Sequence, residues 1–120
     1  MSKKTLVIGA SNNPERYAYR AVKKLTAHGH PVLALGKKEE MIDNIPVVKE
    51  RPLDNDIDTV TLYVNPQLQK NYYDYILQLH PKRIIFNPGT ENDELANLAE
   101  QNGIQTIEAC TLVMLSIGDY

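Results

Sequence analysis

Tryptophan is absent from this 120-residue chain, and cysteine and phenylalanine occur once each. The lone Cys110 excludes an internal disulfide and any Cys-rich zinc site, so nothing in the sequence requires an oxidising compartment. Long apolar runs are also missing. The opening run, Thr5 to Ala10, is far too short for a signal h-region or a membrane span. Neither sign of charge dominates: thirteen Lys plus Arg stand against fifteen Asp plus Glu, a formal net charge of -2. That balance gives no general attraction to nucleic acid or to an anionic membrane. No H-E-x-x-H, G-x-S-x-G or P-loop motif occurs, and no repeat or low-complexity tract divides the chain. A chain of this length has room for one well-formed core and none for a second, catalytic domain. The expectation is one soluble domain over 1–120, located in the cytoplasm.

What the sequence does contain is an alternation of two periods. Short runs rich in Val, Ile and Leu stand at Thr5 to Ile8, Val32 to Leu35, Val60 to Val64, Arg83 to Phe86 and Ile104 to Ile107. Their apolar character on both faces suits buried parallel strands. Between them the spacing turns helical. Ala18, Ala21, Val22 and Leu25 form one stripe; Leu68, Tyr72, Tyr75, Ile76 and Leu79 form a second; Leu95, Leu98 and Ala99 form a third. Gly29, Pro81 and Gly103 follow these stripes as stop signals. Strand, helix, strand repeated in this way predicts an α/β fold: a single doubly wound, Rossmann-like domain with a mainly parallel five- to six-stranded sheet and helices on both faces. The segment from Lys37 to Asp58 is weaker, with Pro46, Pro52 and a run of aspartates. It predicts a helical turn near Glu39 to Ile42, a small edge strand at Ile45 to Val48, then a loop.

Ligands of such sheets sit beyond the carboxyl ends of the strands. Three Asn-Pro dipeptides fall there, Asn13-Pro14, Asn65-Pro66 and Asn87-Pro88, and two of them match an N-cap Asn followed by Pro at the first helical position, a favoured helix start. Thr90, three residues before Asp93, is the expected cap of the helix after the fourth long strand. The first turn, Gly9-Ala10-Ser11-Asn12-Asn13-Pro14, is not the G-x-G-x-x-G fingerprint. Its small residues nevertheless allow close backbone approach, and a helix starting near Pro14 directs free N–H groups at a phosphate. Arg16 adds a guanidinium. Past the second strand an NAD site needs a carboxylate about twenty residues beyond the glycine turn. Here the chain reads Leu35-Gly36-Lys37-Lys38, which favours an extra ribose phosphate, as in NADP or coenzyme A. Tyr63, ending its strand, is the aromatic placed to face a bound base, whereas Tyr72 and Tyr75 belong to the helical stripe and the core. His28, His30 and His80 lie at helix ends and pair with nothing, and Cys110 reads as a small buried hydrophobe.

Taken together, Gly9-Ala10-Ser11 with Asn13-Pro14, the helix ending in His28-Gly29, Asp58-Thr59-Val60, the turn Asn87-Pro88-Gly89, and Ala99 to Ile104 before Cys110 carry a pattern. The chain resembles the small stand-alone CoA-binding domain proteins, a Rossmann-fold family related to the nucleotide-binding domain of the succinyl-CoA synthetase alpha subunit. The resemblance implies coenzyme A or an acyl-CoA bound through its ADP part. Gly9, Ala10, Ser11, Asn12, Asn13 and Arg16 would hold the pyrophosphate, with Tyr17 beside them. Leu35, Gly36, Lys37 and Lys38 would border the adenosine and its 3'-phosphate. Tyr63, Val64 and Asn65 would line the adenine side, and Asn87, Pro88, Gly89 and Thr90 would lie toward the pantetheine. The chain departs from the family pattern at Arg16 and Tyr17, where a lysine and a small residue are usual, and in the segments after the second and fourth long strands. No catalytic residue is implied. The competing expectations are an NADP-type enzyme, an acyl-CoA enzyme using Cys110, and a scaffold whose pocket Tyr17 closes and whose ligand is another protein. Oligomeric state stays open.

Overall fold

The computed structural model describes residues 2–120. Along the chain run β1 (Thr5–Ala10), α1 (Tyr17–Ala27), β2 (Val32–Gly36), β3 (Glu40–Ile42), β4 (Ile45–Val48), β5 (Thr59–Leu62) and α2 (Pro66–Gln69). A 3₁₀ turn (Lys70–Tyr72) leads into α3 (Tyr73–Leu79), β6 (Arg83–Phe86), α4 (Asp93–Gln101), β7 (Gln105–Glu108) and α5 (Thr111–Ser116). The strands form one sheet in the order β3-β4-β2-β1-β5-β6-β7. Every neighbouring pair is parallel except β3 with β4. The order reverses direction on either side of β1, which creates a switch point at its carboxyl end.

The α/β, doubly wound architecture is the one the alternating periods predict, with one more strand than the five to six expected. Glu39 to Ile42 is not a helical turn; Glu40 to Ile42 forms β3 and pairs with β4 across the two-residue loop Asp43-Asn44. Asp43 adopts a positive φ of 50°, a conformation that Asp and Asn tolerate and that tight hairpins need. That local turn outweighs a helical signal of only four residues.

Side chains of the central strands alternate between two cores. Leu6 and Ile8 of β1, with Val60, Leu62, Ile84 and Phe86, pack against Ile76 of α3 and Leu95 and Ala99 of α4. Val7 and Ala10 of β1, with Ala34 and Val47, pack against Ala18, Val22 and Leu25 of α1 and Leu115 of α5. All four residues of the first predicted helical stripe are buried. The second stripe is interrupted: α2 stops at Gln69, the chain tightens through the 3₁₀ turn, and of the stripe Tyr75, Ile76 and Leu79 are the residues fully buried. Leu68 stays exposed and is not the core residue the periodicity suggests, whereas Tyr72, half-buried, packs against the margin of the core. The short helix α5 has no counterpart in the sequence reading, because six residues leave too little periodicity to register.

Helix starts also differ from expectation. Asn65 caps α2 with Pro66 at the first position, its Oδ1 accepting from the Leu68 N–H at 2.9 Å. Asn13 does not cap α1, which starts three residues later than Pro14 with Arg16 as its N-cap. Asn92, not Thr90, caps α4, accepting from the amides of Glu94 and Leu95. Thr90 is buried and donates its hydroxyl to the Asn87 carbonyl at 2.8 Å.

Asn87 is the junction of β5, β6 and α5. It is 3% exposed. Its Nδ2 donates to Thr61 Oγ1 at 2.6 Å and to the Leu62 carbonyl at 2.9 Å, while its Oδ1 accepts the Thr111 N–H at 2.9 Å. A buried donor or acceptor left without its partner costs about 1–3 kcal/mol. Asn87→Ala is therefore expected to lower stability by roughly 2–4 kcal/mol, since several groups lose partners together. Urea unfolding followed by circular dichroism measures it, and a change below about 1 kcal/mol would contradict the role assigned to this side chain.

Candidate functional site

An open cleft of about 960 Å³ lies along the carboxyl ends of β2, β1, β5 and β6. It is floored by the turn after β1. Gly9 has a φ of 96°, a left-handed conformation that a side chain would strain, and a Cβ there would lie 2.9 Å from the Tyr63 carbonyl oxygen and from Val64 Cγ1. On the neighbouring strand a Cβ at Gly36 would lie 2.3 Å from the Ala10 carbonyl oxygen and 2.8 Å from Val47 Cγ1. The pairing of β1 with β2 skips a residue between Ile8 and Ala10 at this point. The two glycines thus let β1, β2 and β5 converge while the chain leaves the sheet.

Beyond Ala10 the chain does not enter the helix directly. Arg16 donates its N–H to the Asn13 carbonyl at 3.0 Å, Glu15 donates to Asn13 Oδ1 at 3.0 Å, and Asn13 donates to Ser11 Oγ at 3.1 Å. Asn12 donates its N–H at 3.0 Å to a carboxylate from another element, Glu40 Oε2 of β3. Arg16, in extended conformation, gives α1 no side-chain cap, and the first turn holds no acidic residue. The first-turn amides of α1 are consequently the ones that combine the positive end of the helix dipole with no side-chain acceptor.

Of the residues singled out from the sequence, Gly9, Ala10, Ser11, Asn12, Asn13, Arg16 and Tyr17 line the cleft on the β1 side. Gly36, Lys37 and Lys38 line it past β2; Tyr63, Val64 and Asn65 past β5; Pro88, Gly89 and Thr90 past β6. Leu35 and Asn87 do not. Leu35 is 2% exposed in the core beneath β2, because the residue before Gly36 points to the opposite face of the pleat. Asn87 is spent on the internal bonds described above. Tyr17 does not close the cleft: it stands 63% exposed at the rim, with Arg20 over its ring at 5.4 Å. Tyr63 packs its ring into the α1 side of the core rather than presenting it to a base. Its hydroxyl is buried beside Thr61 and Thr111 but falls short of full hydrogen-bond geometry with either, and burial raises its pKa to about 12, with the two threonine hydroxyls opposing that rise.

Sequence reasoning missed Glu15, Ala18, Glu40, Leu68, Asn71 and Tyr72, which also line the cleft. Tyr72 carries Arg51 over its ring at 4.5 Å. No ligand motif marks these residues: Glu15 and Ala18 arrive with the delayed start of α1, Glu40 with the hairpin, and Leu68, Asn71 and Tyr72 with the broken helix. The acids alter the electrostatics, since Glu15 and Glu40 stand among Arg16, Lys37 and Lys38. Two further acids are held away from the cleft: Asp54 and Asp56 pair with Lys4 at 2.7 and 2.9 Å, next to the amino end of β1.

Gln69, fully buried, ties the cleft's far wall together. Its Nε2 donates to the carbonyls of Val64 at 2.9 Å and Thr90 at 2.7 Å, and its Oε1 accepts from Asn92 Nδ2 at 2.9 Å. The loops after β5 and β6 are held in fixed relation through this one side chain. Among the described residues no group of His, Cys, Asp and Glu is arranged to hold a metal ion.

A doubly wound sheet with a glycine turn and a helix start at its switch point is the architecture of a Rossmann-like nucleotide-binding domain. The chain belongs to the CoA binding domain family, whose model matches residues 3–116. Among solved structures it is similar to an uncharacterized protein at 49% identity and a TM-score of 0.97, covering 100% of this chain and 99% of that one. A hypothetical protein from Pyrococcus horikoshii OT3 is 30% identical with a TM-score of 0.83, covering 97% of this chain and 83% of that one. A conserved hypothetical protein from Pyrococcus furiosus is 25% identical with a TM-score of 0.80, covering 92% of this chain and 97% of that one. No curated protein matches the chain.

Two substitutions probe this construction. Gly36→Ala forces a Cβ into backbone, so it is expected to cost roughly 1–3 kcal/mol or more and to displace the turn after β1; thermal unfolding and the amide spectrum of residues 9–13 report both. Tyr63→Phe removes a buried hydroxyl that falls short of full hydrogen-bond geometry with Thr61 and Thr111, and is expected to leave stability unchanged or raise it by about 1 kcal/mol. A loss of more than about 1 kcal/mol in Tyr63→Phe would mean that the hydroxyl is bonded in solution.

Proposed function

We propose that this domain, over 1–120, is a non-catalytic binder of coenzyme A or an acyl-CoA, taken through its ADP moiety at the carboxyl edge of the sheet. The observation that carries the reading is the convergence of a glycine turn, an uncapped helix start and three exposed cations, Arg16, Lys37 and Lys38, on one cleft. Family membership supports the ligand class. The pyrophosphate would lie over the Ser11 to Arg16 turn, where the first amides of α1 and the Arg16 guanidinium can share its charge. The ribose 3'-phosphate would meet Lys37 and Lys38, which stand where an NAD site needs a carboxylate. The adenine would lie against Val64, Asn65 and the neighbouring Leu68 and Tyr72, and the pantetheine would run toward Pro88, Gly89 and Thr90.

The cleft is open to solvent, and the side chains that line it include no histidine or cysteine. Binding is the function such a surface supports best; an acid–base pair within reach of a reacting atom would be needed for more. Among the described residues no helix is long and apolar enough to cross a membrane.

Isothermal titration with CoA, dephospho-CoA, NADP and NAD tests the proposal. CoA is expected to bind more tightly than dephospho-CoA, and NAD most weakly. Lys37→Ala combined with Lys38→Ala is expected to weaken CoA by roughly fivefold to thirtyfold, as two exposed charge contacts at about 0.5–1 kcal/mol each imply, and to leave dephospho-CoA nearly unchanged. Equal affinity of the wild type for CoA and dephospho-CoA would remove the 3'-phosphate assignment, and no binding of either would remove the function.

A further inference from the structure

The turn after β1 already holds an anion. Of the amides of Asn12, Asn13, Glu15 and Arg16, three are satisfied by atoms of the turn itself, and the fourth, Asn12, donates to Glu40 Oε2 at 3.0 Å. That acceptor comes from twenty-eight positions away. A carboxylate oxygen accepting a backbone N–H at a glycine turn occupies the place and supplies the charge that a phosphate oxygen would. Glu40 and Asn12 both line the cleft, together with Arg16, Lys37 and Lys38.

The element that delivers Glu40 is suited to letting go. β3 is a three-residue edge strand bonded to β4 alone. Its far end is anchored by Ile42, buried in the core against α1, but Glu40 stands at its start, directly after exposed Lys37, Lys38 and Glu39, so the Glu40 side chain can swing off Asn12 while Ile42 stays in place. The same loop carries the two lysines assigned to the 3'-phosphate. Release of Glu40 and engagement of Lys37 and Lys38 therefore involve one short stretch of chain.

We propose that Glu40 is an internal phosphate mimic that a ligand must displace, so that the β2–β3 loop gates the cleft and weakens every ligand that places an anion on Asn12. This rests on the binding reading above. It deepens that reading by naming a residue that opposes the ligand and sets which ligands succeed: a pyrophosphate can replace the carboxylate, and a neutral group cannot. The effect acts at the pyrophosphate, so it falls equally on CoA and dephospho-CoA, unlike the lysine effect.

The test uses the whole chain as wild type, Glu40→Gln and Glu40→Ala, with titration calorimetry and ¹H–¹⁵N spectra. In Glu40→Ala the Asn12 amide is expected to shift upfield and to exchange faster, because its charged acceptor is gone. Both CoA and dephospho-CoA are expected to bind about threefold to tenfold more tightly to Glu40→Ala, the span of one net hydrogen bond, with Glu40→Gln in between. Unchanged or weaker binding to both variants, with CoA still bound by the wild type, overturns the inference and leaves the function standing. A gain for CoA alone also overturns it, because Glu40 would then be acting against Lys37 and Lys38 at the 3'-phosphate. If none of the three proteins binds CoA, the function falls and inorganic pyrophosphate decides the inference: it stands if Asn12 responds at lower concentration in Glu40→Ala, and falls if the responses are equal or absent.

Discussion

The close approach of β1 to β2 and β5 at their carboxyl ends is the constraint on which the rest depends. At Gly36 the Ala10 carbonyl oxygen sits 2.3 Å from where a Cβ would be, and at Gly9 the Tyr63 carbonyl oxygen sits 2.9 Å away. Only glycine permits both approaches, since backbone atoms cannot move aside as a flexible side chain would. The skipped residue in the β1–β2 pairing and the left-handed φ of Gly9 follow from the same crowding. Together they throw the chain out of the sheet, so that α1 begins at Tyr17 and a turn held by its own hydrogen bonds and by Glu40 spans the gap. That turn is the floor of the cleft.

The opposite wall is built from polar side chains that are buried and paired. Gln69 joins the loops after β5 and β6, Asn92 joins Gln69 to the start of α4, and Asn87 joins β5 to α5. Buried amides of this kind are costly when unpaired and stabilising when every partner is met, so they define geometry more sharply than apolar packing does. Apolar residues from two clusters supply the bulk of the burial; the amides decide where the loop ends stand. Charge follows the same division. Asp54 and Asp56 are held by Lys4 at the amino edge of β1, while Arg16, Lys37 and Lys38 gather at the carboxyl edge with Glu15 and Glu40. A nearly neutral chain thereby acquires a cleft of mixed charge in which the cations outnumber the carboxylates by one.

How much of this is legible in the residues depends on the range of the interaction. The α1 stripe is buried as its spacing requires, because an amphipathic helix on a sheet has one way to face. The Asn65 cap forms as written, since the bond spans three residues. Asn13, an identical dipeptide, fails as a cap because the convergence at Gly9 and Gly36 delays the helix. Thr90 has the right spacing but is held by Asn87, and Asn92 takes its place. Glu39 to Ile42 reads as a helical turn until the Asp43-Asn44 loop gives it a strand partner. Leu35 and Asn87 sit at strand ends, as ligand-binding residues do, yet pleat direction sends one into the core and buried hydrogen bonds claim the other.

By itself the sequence determined the fold class, the order of the long strands along the chain, and the strand ends at which a phosphate-bearing ligand would be sought. Those properties depend on periodicity, on glycine and proline, and on residue type within a few positions, all of which act locally. Only the tertiary structure decided that Gln69 and Asn87 are internal struts, that Tyr63 turns its hydroxyl into the core, and that Glu40 rests on the Asn12 amide across the cleft. Each of these rests on a contact between elements distant in sequence. Such contacts are set by the sheet order and by how closely backbones approach, and no spacing within one segment records them.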